Sequence, residues 1–217
     1  IHTGCLLEVS DGGITMVAVD SSRLARRTWH SEEPIGSELK FVVPAAALRE
    51  VEKILTDTDE PAVFTLGAKH ILFQIGDATL VCRILEGEFI DWRRVVPTKN
   101  SVILTANVAE LTNSIERVSL ITSEKIKSPV RCVFGENVAD LRTVNTIGSA
   151  HDTCAVAGNG GELEIGFNCR YLLDALRAVP DEEVTLELQN GLSPIVFTPA
   201  GGKHDFAYMV LPVRLHG

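Results

Sequence analysis

The residues of this chain that could carry out chemistry do not have the spacings that catalysis requires. The glycine-rich run GNGG, residues 158–161, precedes the strand-like segment LEIGF. A phosphate-binding loop instead opens a helix whose N-terminal amides face the anion. Ser149, His151 and Asp152 stand too close together in one strand-like stretch to form a Ser-His-Asp triad. We therefore interpret GNGG as a hairpin turn, and the sequence predicts no catalytic residue.

Metal-ligand patterns are missing as well. The five cysteines are scattered and never form a CxxC pair, and the six histidines lack ligand spacing. Residues 57–60, DTDE, lack the loop length and the closing bidentate glutamate of a calcium loop. The sequence therefore predicts no metal and no cofactor, and its cysteines are expected to be reduced, partly buried thiols.

The carboxyl-terminal segment is too apolar for an exposed end. It reads AYMVLPVRLHG, and its apolar core consists of Met209, Val210, Leu211, Pro212 and Val213. One interpretation is a buried edge strand without further role. The other is a wall of a groove that accepts a hydrophobic peptide. In that case RLA after Ser22 and DWRRVV around Arg94 would supply the facing wall, with apolar contacts inside a cationic rim.

The elements that must position these segments occur twice along the chain. From Lys40 the order is a strand-like run, a helical stretch, an acidic turn and three strand-like runs, and from Glu164 the same order returns about 124 positions later. Such a tandem repeat favours two similar lobes. Several strand-like runs in a row, typical of antiparallel meanders, alternate with single helices. A parallel β/α fold would instead alternate one strand with one helix, so the pattern predicts an α+β fold.

Three helices are predicted, each with one apolar face. The apolar stripe of the first consists of Ala45, Leu48, Val51, Ile54 and Leu55, that of the second of Val108, Leu111, Ile115 and Val118, and that of the third of Tyr171, Leu172, Ala175, Leu176 and Val179. Asn107 or Thr105 would cap the second helix. On the third, Asp174 is expected to face outward. A hairpin, CLLEV-SDGG-ITMVAVD, precedes them all.

Size and charge set further limits. The chain has 217 residues, 45% of them hydrophobic, which suits two domains of about 100 residues each. No apolar run reaches the roughly 20 residues of a membrane span and no signal peptide is present, so a cytoplasmic location is expected. The chain starts at Ile1 inside a strand-like segment and is expected to be a truncated piece. Because the net charge of the chain is −9, DNA can be a partner only if the basic residues gather on one face.

Six segments together resemble the bacterial DNA polymerase III beta subunit, the replicative sliding clamp. They are VAVDSSRLA (17–25), EGEFIDWRRVVP (86–97), RVSLITSEK (117–125), LEIGFNCRYLLDALRAV (163–179), GLSPI (191–195) and YMVLPVRL (208–215). The resemblance implies tandem DNA-clamp domains, with antiparallel sheets outside and helices on one concave side. Residues 1–98 would be the middle domain, shortened at its N-terminus, and residues 99–217 the third domain.

The resemblance also implies a groove between these two domains, in which replication proteins dock through short hydrophobic motifs. Its middle-domain wall would consist of His2, Val19, Ser21, Ser22, Arg23, Leu24, Ile90, Arg94 and Val95. The third domain would contribute Ile126, Asn168, Tyr171, Leu192, Pro194, Met209, Val210, Leu211, Pro212, Val213 and Arg214. Leucine or phenylalanine of a partner would fill the apolar part. Ser21, Ser22, Ile90 and His2 differ from the residues usual in the family, which bears on motif preference.

The partners implied are those of a non-catalytic processivity factor. They are duplex DNA, bound without sequence preference inside a head-to-tail dimeric ring, and the DNA polymerase III alpha subunit, the clamp loader and repair polymerases, bound through peptide motifs. The DNA-facing side chains would be Arg49, Lys53, Arg117 and Arg177. The chain alone is not expected to close a ring, and no membrane partner is expected.

Two other functions stay open at this stage. One is a small-molecule enzyme or sensor with a site between two similar lobes, and the other is a self-standing DNA-binding domain.

Overall fold

The computed structural model describes residues 1–122, 128–202 and 204–215. The chain divides into two units. The first unit consists of Ile1–Asp20 and Arg26–Trp92, and the second of Ser21–Ala25 and Arg93–Gly217. The units meet along the chain at Trp92–Arg93, somewhat before the predicted boundary after residue 98, and the limits 1–98 and 99–217 stay a prediction.

The first unit contains two antiparallel sheets and one helix. Strands β1 (Gly4–Ser10), β2 (Gly13–Val19), β3 (Arg23–His30) and β4 (Leu39–Pro44) lie in the order β3-β2-β1-β4. Helix α1 (Ala45–Ile54) follows, and then β5 (Val63–Leu66), β6 (His70–Ile75) and β7 (Ala78–Arg83) form a three-stranded sheet. A 3-10 turn, Trp92–Arg94, spans the boundary along the chain between the two units. The predicted first hairpin is therefore confirmed as β1–β2.

Helix α1 covers the core of the first unit. That core consists of Cys5, Leu7, Val43, Val51, Ile71 and Phe73. Arg49 and Lys53 are exposed, as the helical spacing predicts. The prediction for Leu55 was wrong, because the helix ends at Ile54 and Leu55 adopts an extended backbone with 47% of its surface exposed.

The second unit is one larger antiparallel sheet with two helices. Its elements are β8 (Val102–Asn107), α2 (Val108–Ser119), β9 (Val130–Phe134), β10 (Val138–Val144), β11 (Ser149–Gly158), β12 (Leu163–Phe167), α3 (Cys169–Arg177), β13 (Glu183–Leu188), β14 (Ile195–Pro199) and β15 (Asp205–Val210). The strand order is β12-β9-β10-β11-β8-β13-β14-β15. The predicted α+β class with antiparallel sheets is confirmed; that the helices share one concave side stays a prediction.

Local sequence explains why the two helices of this unit begin where they do. Asn107 caps α2, since its Oδ1 accepts a hydrogen bond from the Glu110 amide at 3.0 Å, and Asn168 caps α3 in the same way with the Arg170 amide at 3.0 Å. A capping side chain satisfies an amide that has no partner inside the helix. The buried faces of both helices pack against the sheet and against each other.

One structural module occurs three times in the chain. The sequence β-α-β-β-β describes β4 to β7, then β8 to β11, then β12 to β15. The first and third copies are the two that the sequence indicated. The middle copy was missed as a repeat, since ten residues separate the end of α2 from the start of β9, more than in the other two copies.

The GNGG run is not a hairpin turn, which corrects the sequence-based interpretation. It joins β11 to β12, and these strands are not neighbours: β12 pairs with β9, while β11 pairs with β10 and β8. The run instead passes close to the β9–β10 turn. A Cβ at Gly160 would lie 2.2 Å from the Gly135 carbonyl oxygen, so only glycine fits there. The GNGG run is followed by strand β12 and not by a helix, as the sequence indicated.

All five cysteines are free thiols. Burial raises the pKa of the Cys132 thiol to about 12 and that of the Cys5 thiol to about 11. Because the thiolate is the reactive form, these two residues are chemically inert near neutral pH. Within the described ranges, every helix is too short or too polar to traverse a bilayer.

Candidate functional site

The start of β3 meets helix α3 inside the second unit. Arg23 Nη1 donates a hydrogen bond to Asp174 Oδ2 at 2.6 Å, and the guanidinium carbon lies 4.5 Å from the centroid of the Tyr171 ring. An arginine over an aromatic face is attracted by the negative potential of the ring. Tyr171 and Asp174 are three residues apart on α3 and therefore share one face of the helix. Arg23, Tyr171 and Asp174 form what we call the α3 wall.

The apolar carboxyl-terminal segment is held beside this wall by two backbone hydrogen bonds. The Leu211 amide donates to the Ser22 carbonyl at 2.8 Å, and the Val213 amide donates to the Gly166 carbonyl at 2.8 Å. Ser22 precedes Arg23, and Gly166 lies two residues before the cap of α3. The segment is therefore fixed next to both the β3 start and the α3 N-terminus.

The buried-strand interpretation holds for part of this segment, and the groove interpretation stays a prediction for the exposed part. Met209 and Val210 end β15 and are buried, so they belong to the core. Leu211 is 38% exposed and Val213 41% exposed although their backbones are tied down. Ordered, exposed apolar side chains of this kind are available to a ligand.

A substitution at Gly166 should release this segment. A Cβ there would lie 2.6 Å from Leu215 Cδ2 and 2.8 Å from the Val213 carbonyl oxygen, so Gly166→Ala must displace residues 213–215. We expect faster hydrogen exchange at the Val213 amide and a loss of about 1–3 kcal/mol in unfolding free energy. Gly148→Ala is the control, because an added Cβ there meets nothing within 4 Å. An unchanged rate of hydrogen exchange at the Val213 amide would contradict its hydrogen bond to the Gly166 carbonyl.

The remaining predicted residues of the second unit vary in exposure. Leu192 is 78% exposed on a turn in which the Asn190 side chain accepts its amide hydrogen bond at 2.9 Å. Ser21, Arg94 and Arg214 are exposed, whereas Ser22, Val95, Asn168, Pro194 and Pro212 are half-buried. Leu24 is only 2% exposed and packs beneath the surface. Ile126 lies outside the described residues.

Three predicted residues belong to the first unit. The His2 ring meets the Phe89 ring edge-on, with centroids 5.8 Å apart, and Ile90 is 40% exposed. Val19 is half-buried at the end of β2. Their part in a site stays a prediction.

The pairing of Asp174 with Arg23 was not predicted from the sequence. Asp174 faces outward as expected, with 40% of its side chain exposed, and it pairs with Arg23, from which 151 positions separate it. The only local signal was its spacing of three from Tyr171, which is shared by many surface residues of helices.

Three of the four side chains predicted to face DNA are neutralised by nearby carboxylates. Lys53 pairs with Glu50 at 2.7 Å and Arg177 with Glu116 at 2.7 Å. Arg117 donates to Asp152, and this hydrogen bond lowers the pKa of the Asp152 carboxyl. Arg49 is exposed. A role in DNA contact stays a prediction for all four.

The described part of the chain holds no group of three histidine, cysteine, aspartate or glutamate side chains placed to bind a metal ion. What the second unit does offer is an apolar surface next to a paired cation and an aromatic ring, which suits recognition of a peptide more than a reaction.

Comparison with known proteins identifies the family of the chain. A family model described as the C-terminal domain of the DNA polymerase III beta subunit matches residues 93–214, and one described as its central domain matches residues 1–91. The chain belongs to the DNA polymerase III beta subunit family.

Relatives in this family are sliding clamps from bacteria. The chain is 28% identical over its full length to the beta sliding clamp of Staphylococcus aureus and covers 57% of that protein. It is 30% identical over 98% of its length to the beta sliding clamp of Pseudomonas aeruginosa, of which it covers 58%. A solved structure described as a DNA polymerase III beta subunit from Eubacterium rectale superimposes with a TM-score of 0.92 at 30% identity, over 97% of this chain and 57% of that one. The predicted clamp fold is confirmed.

Proposed function

We propose that this chain is part of a bacterial processivity clamp for the replicative DNA polymerase, and that its second unit binds short hydrophobic peptides of replication proteins at the α3 wall. Family membership over residues 1–91 and 93–214 supports the first part. Since the chain spans 57% of the Staphylococcus aureus relative, the activity of a whole clamp is inferred from the family and not from this chain alone.

The observation that carries the peptide proposal is that Leu211 and Val213 have exposed apolar side chains on a backbone that is held in place. The Leu211 amide donates to the Ser22 carbonyl, and the Val213 amide donates to the Gly166 carbonyl. Order without burial means that little conformational entropy is lost when a partner covers them. Leucine or phenylalanine side chains of a peptide would gain most from such a surface.

Polar groups around this apolar patch would fix the direction of a bound peptide. The Asn168 side chain accepts from the Arg170 amide and so stays in one orientation at the start of α3. Arg94 and Arg214 are exposed, and we infer that they lie at the rim of this patch. Whether His2, Val19 and Ile90 of the first unit take part stays a proposal.

A binding titration tests this function. A fluorescein-labelled peptide carrying a clamp-binding motif of a replicative polymerase is titrated with the chain, and fluorescence anisotropy is recorded. We expect saturable binding, and no binding of a scrambled peptide with the same composition. Equal binding of both peptides would reject specific recognition.

We further propose that the chain works in the bacterial cytoplasm without catalysing a reaction. Its partners are duplex DNA, the polymerase alpha subunit, the clamp loader and repair polymerases. The parent ring is a head-to-tail dimer. Contacts with a sliding duplex must be few and blind to sequence. The net charge of −9 and the carboxylate pairing of Lys53, Arg117 and Arg177 agree with weak DNA contact.

The chain alone should therefore bind DNA weakly. In a gel shift at low salt with a linear duplex, we expect no retarded band at micromolar protein, because phosphate contacts need local positive charge in excess. Light scattering should give a particle smaller than a closed ring. A tight, salt-sensitive shift by this chain would instead support a self-standing DNA-binding domain.

A further inference from the structure

The second unit contains two Asn-Gly pairs, and its structure holds them differently. They are Asn159-Gly160, between β11 and β12, and Asn190-Gly191, between β13 and β14. An asparagine loses its side-chain amide most readily before glycine, because glycine has no Cβ to shield its backbone nitrogen from the preceding side chain. The reactivity of each pair therefore depends on what holds the asparagine and the glycine in place.

Asn159 is held through both atoms of its side-chain amide. Its Oδ1 accepts a hydrogen bond from the Ile103 amide at 2.6 Å, and its Nδ2 donates to the Ser101 carbonyl at 2.8 Å. Gly160 is buried, and a Cβ on it would lie 2.2 Å from the Gly135 carbonyl oxygen. Asn159 cannot turn toward the Gly160 nitrogen without breaking these contacts, so we expect this pair to be stable.

Asn190 is exposed and is held through its side-chain oxygen. The Leu192 amide donates to Asn190 Oδ1 at 2.9 Å, and the Ser193 hydroxyl donates to the same atom at 3.1 Å. Gln189 Oε1 is a more distant acceptor for that hydroxyl, at 3.4 Å. Donors at such distances stabilise the negative charge that develops on an amide oxygen when its carbon is attacked. The turn therefore favours attack on Asn190 Cγ.

We propose that Asn190 is a modification site, at which the side chain deamidates without an enzyme and with assistance from the Leu192 and Ser193 donors. The Gly191 nitrogen bonds to Asn190 Cγ, the Cγ–Nδ2 bond breaks, and Nδ2 leaves as ammonia with the proton of the Gly191 amide. The succinimide ring that results takes up one water molecule. Opening at Cγ gives aspartate, and opening at the backbone carbonyl gives isoaspartate. Because the reacting groups are neighbours in the chain, the first step is intramolecular.

The product changes the surface at Leu192, which is 78% exposed and follows Gly191 directly. An aspartate carboxylate still accepts the Leu192 amide and adds one negative charge to the turn. Isoaspartate lengthens the main chain by one methylene group. The turn has little room for this, since a Cβ on Gly191 would already lie 2.7 Å from the Glu164 carbonyl oxygen. Isoaspartate must therefore displace the turn that carries Leu192.

Peptide mapping by mass spectrometry measures the reaction at both pairs. The chain is incubated at mildly alkaline pH in water enriched in heavy oxygen, which labels each carboxylate that forms during the incubation. We expect Asn190 to convert about thirtyfold faster than Asn159, because Asn159 must first release two hydrogen bonds to the backbone. In urea, where both turns are lost, the two pairs should react at similar rates.

Ser193→Ala tests the assistance by the hydroxyl. It removes one donor to Asn190 Oδ1, so conversion of Asn190 should slow about fivefold. A hydroxyl that only kept the turn rigid would have the opposite effect, since its loss would free the side chain and speed conversion. Ser31→Ala is the matched control, because the Ser31 hydroxyl donates to the Glu33 carbonyl in the first unit, and this variant should convert at the wild-type rate.

The change at Leu192 has its own measurement. In methyl NMR, a second set of Leu192 signals should grow in step with the isoaspartate fraction. Equal rates at Asn190 and Asn159 in the folded chain would overturn the proposal, as would unchanged or faster conversion in Ser193→Ala. The reaction does not depend on the proposed peptide binding, so a failure of either leaves the other standing.

Discussion

Leu211→Asp is expected to weaken binding of the polymerase-derived peptide about thirtyfold or more, which is the size of effect seen when a central interface residue is lost. Leu211 is 38% exposed, and its amide is tied to Ser22, so its side chain stays where a peptide would cover it. A carboxylate at this place must be desolvated when an apolar side chain covers it, and that is costly without a partner. Fluorescence anisotropy with wild type and variant measures the change.

Val138→Asp is the control for this prediction. Val138 is 43% exposed at the start of β10, so the same kind of substitution is made on the second unit at the end of the sheet opposite to Phe167 and the α3 cap. Peptide affinity should stay at the wild-type value. Unchanged affinity in Leu211→Asp would remove this surface from consideration as the peptide site.

Phe167→Ala should have the largest effect on stability, about 3–5 kcal/mol of unfolding free energy. Phe167 is fully buried in the core of the second unit, at the end of β12 and directly before the cap of α3. Removing the ring leaves a cavity that a close-packed interior fills only in part. Urea unfolding followed by circular dichroism measures the loss.

Phe64→Ala provides the comparison for Phe167→Ala. The deletion is chemically identical, but Phe64 is 47% exposed on β5, where its ring meets that of Phe73 at 71° with the centroids 5.0 Å apart. Its cost should stay near or below about 1 kcal/mol, as for most surface positions. Similar losses for the two variants would contradict the placement of Phe167 in the core.

Elements whose signal is local could be predicted from the sequence. The three helices follow from apolar spacing, and Asn107 and Asn168 start two of them by capping. The strands of the first unit follow from alternating apolar residues and glycine turns. Strand pairing depends on which strands meet in space, and so the neighbours of β11 and β12 were misassigned around GNGG.

The candidate site was reached through family resemblance more than through local pattern. Nothing in the sequence near Arg23 points to Asp174, because the ion pair joins residues 151 positions apart. The exposure of individual side chains was not predicted either. The stretch from Met209 to Val213 is apolar throughout, yet Met209 is 3% exposed and Val213 is 41% exposed. Burial is set by where β15 ends and by the bond from Val213 to Gly166.

Methyl NMR on the full chain, labelled at leucine, valine and isoleucine, shows which side chains a bound peptide covers. On titration with the polymerase-derived peptide, we expect saturable shifts at Leu192, Leu211 and Val213. The methyl signal of Val138, which is 43% exposed at the end of the sheet opposite to Phe167 and the α3 cap, should not move. Saturable shifts confined to Val138, or none at Leu211 and Val213 under conditions where the peptide binds, would contradict this placement of the site.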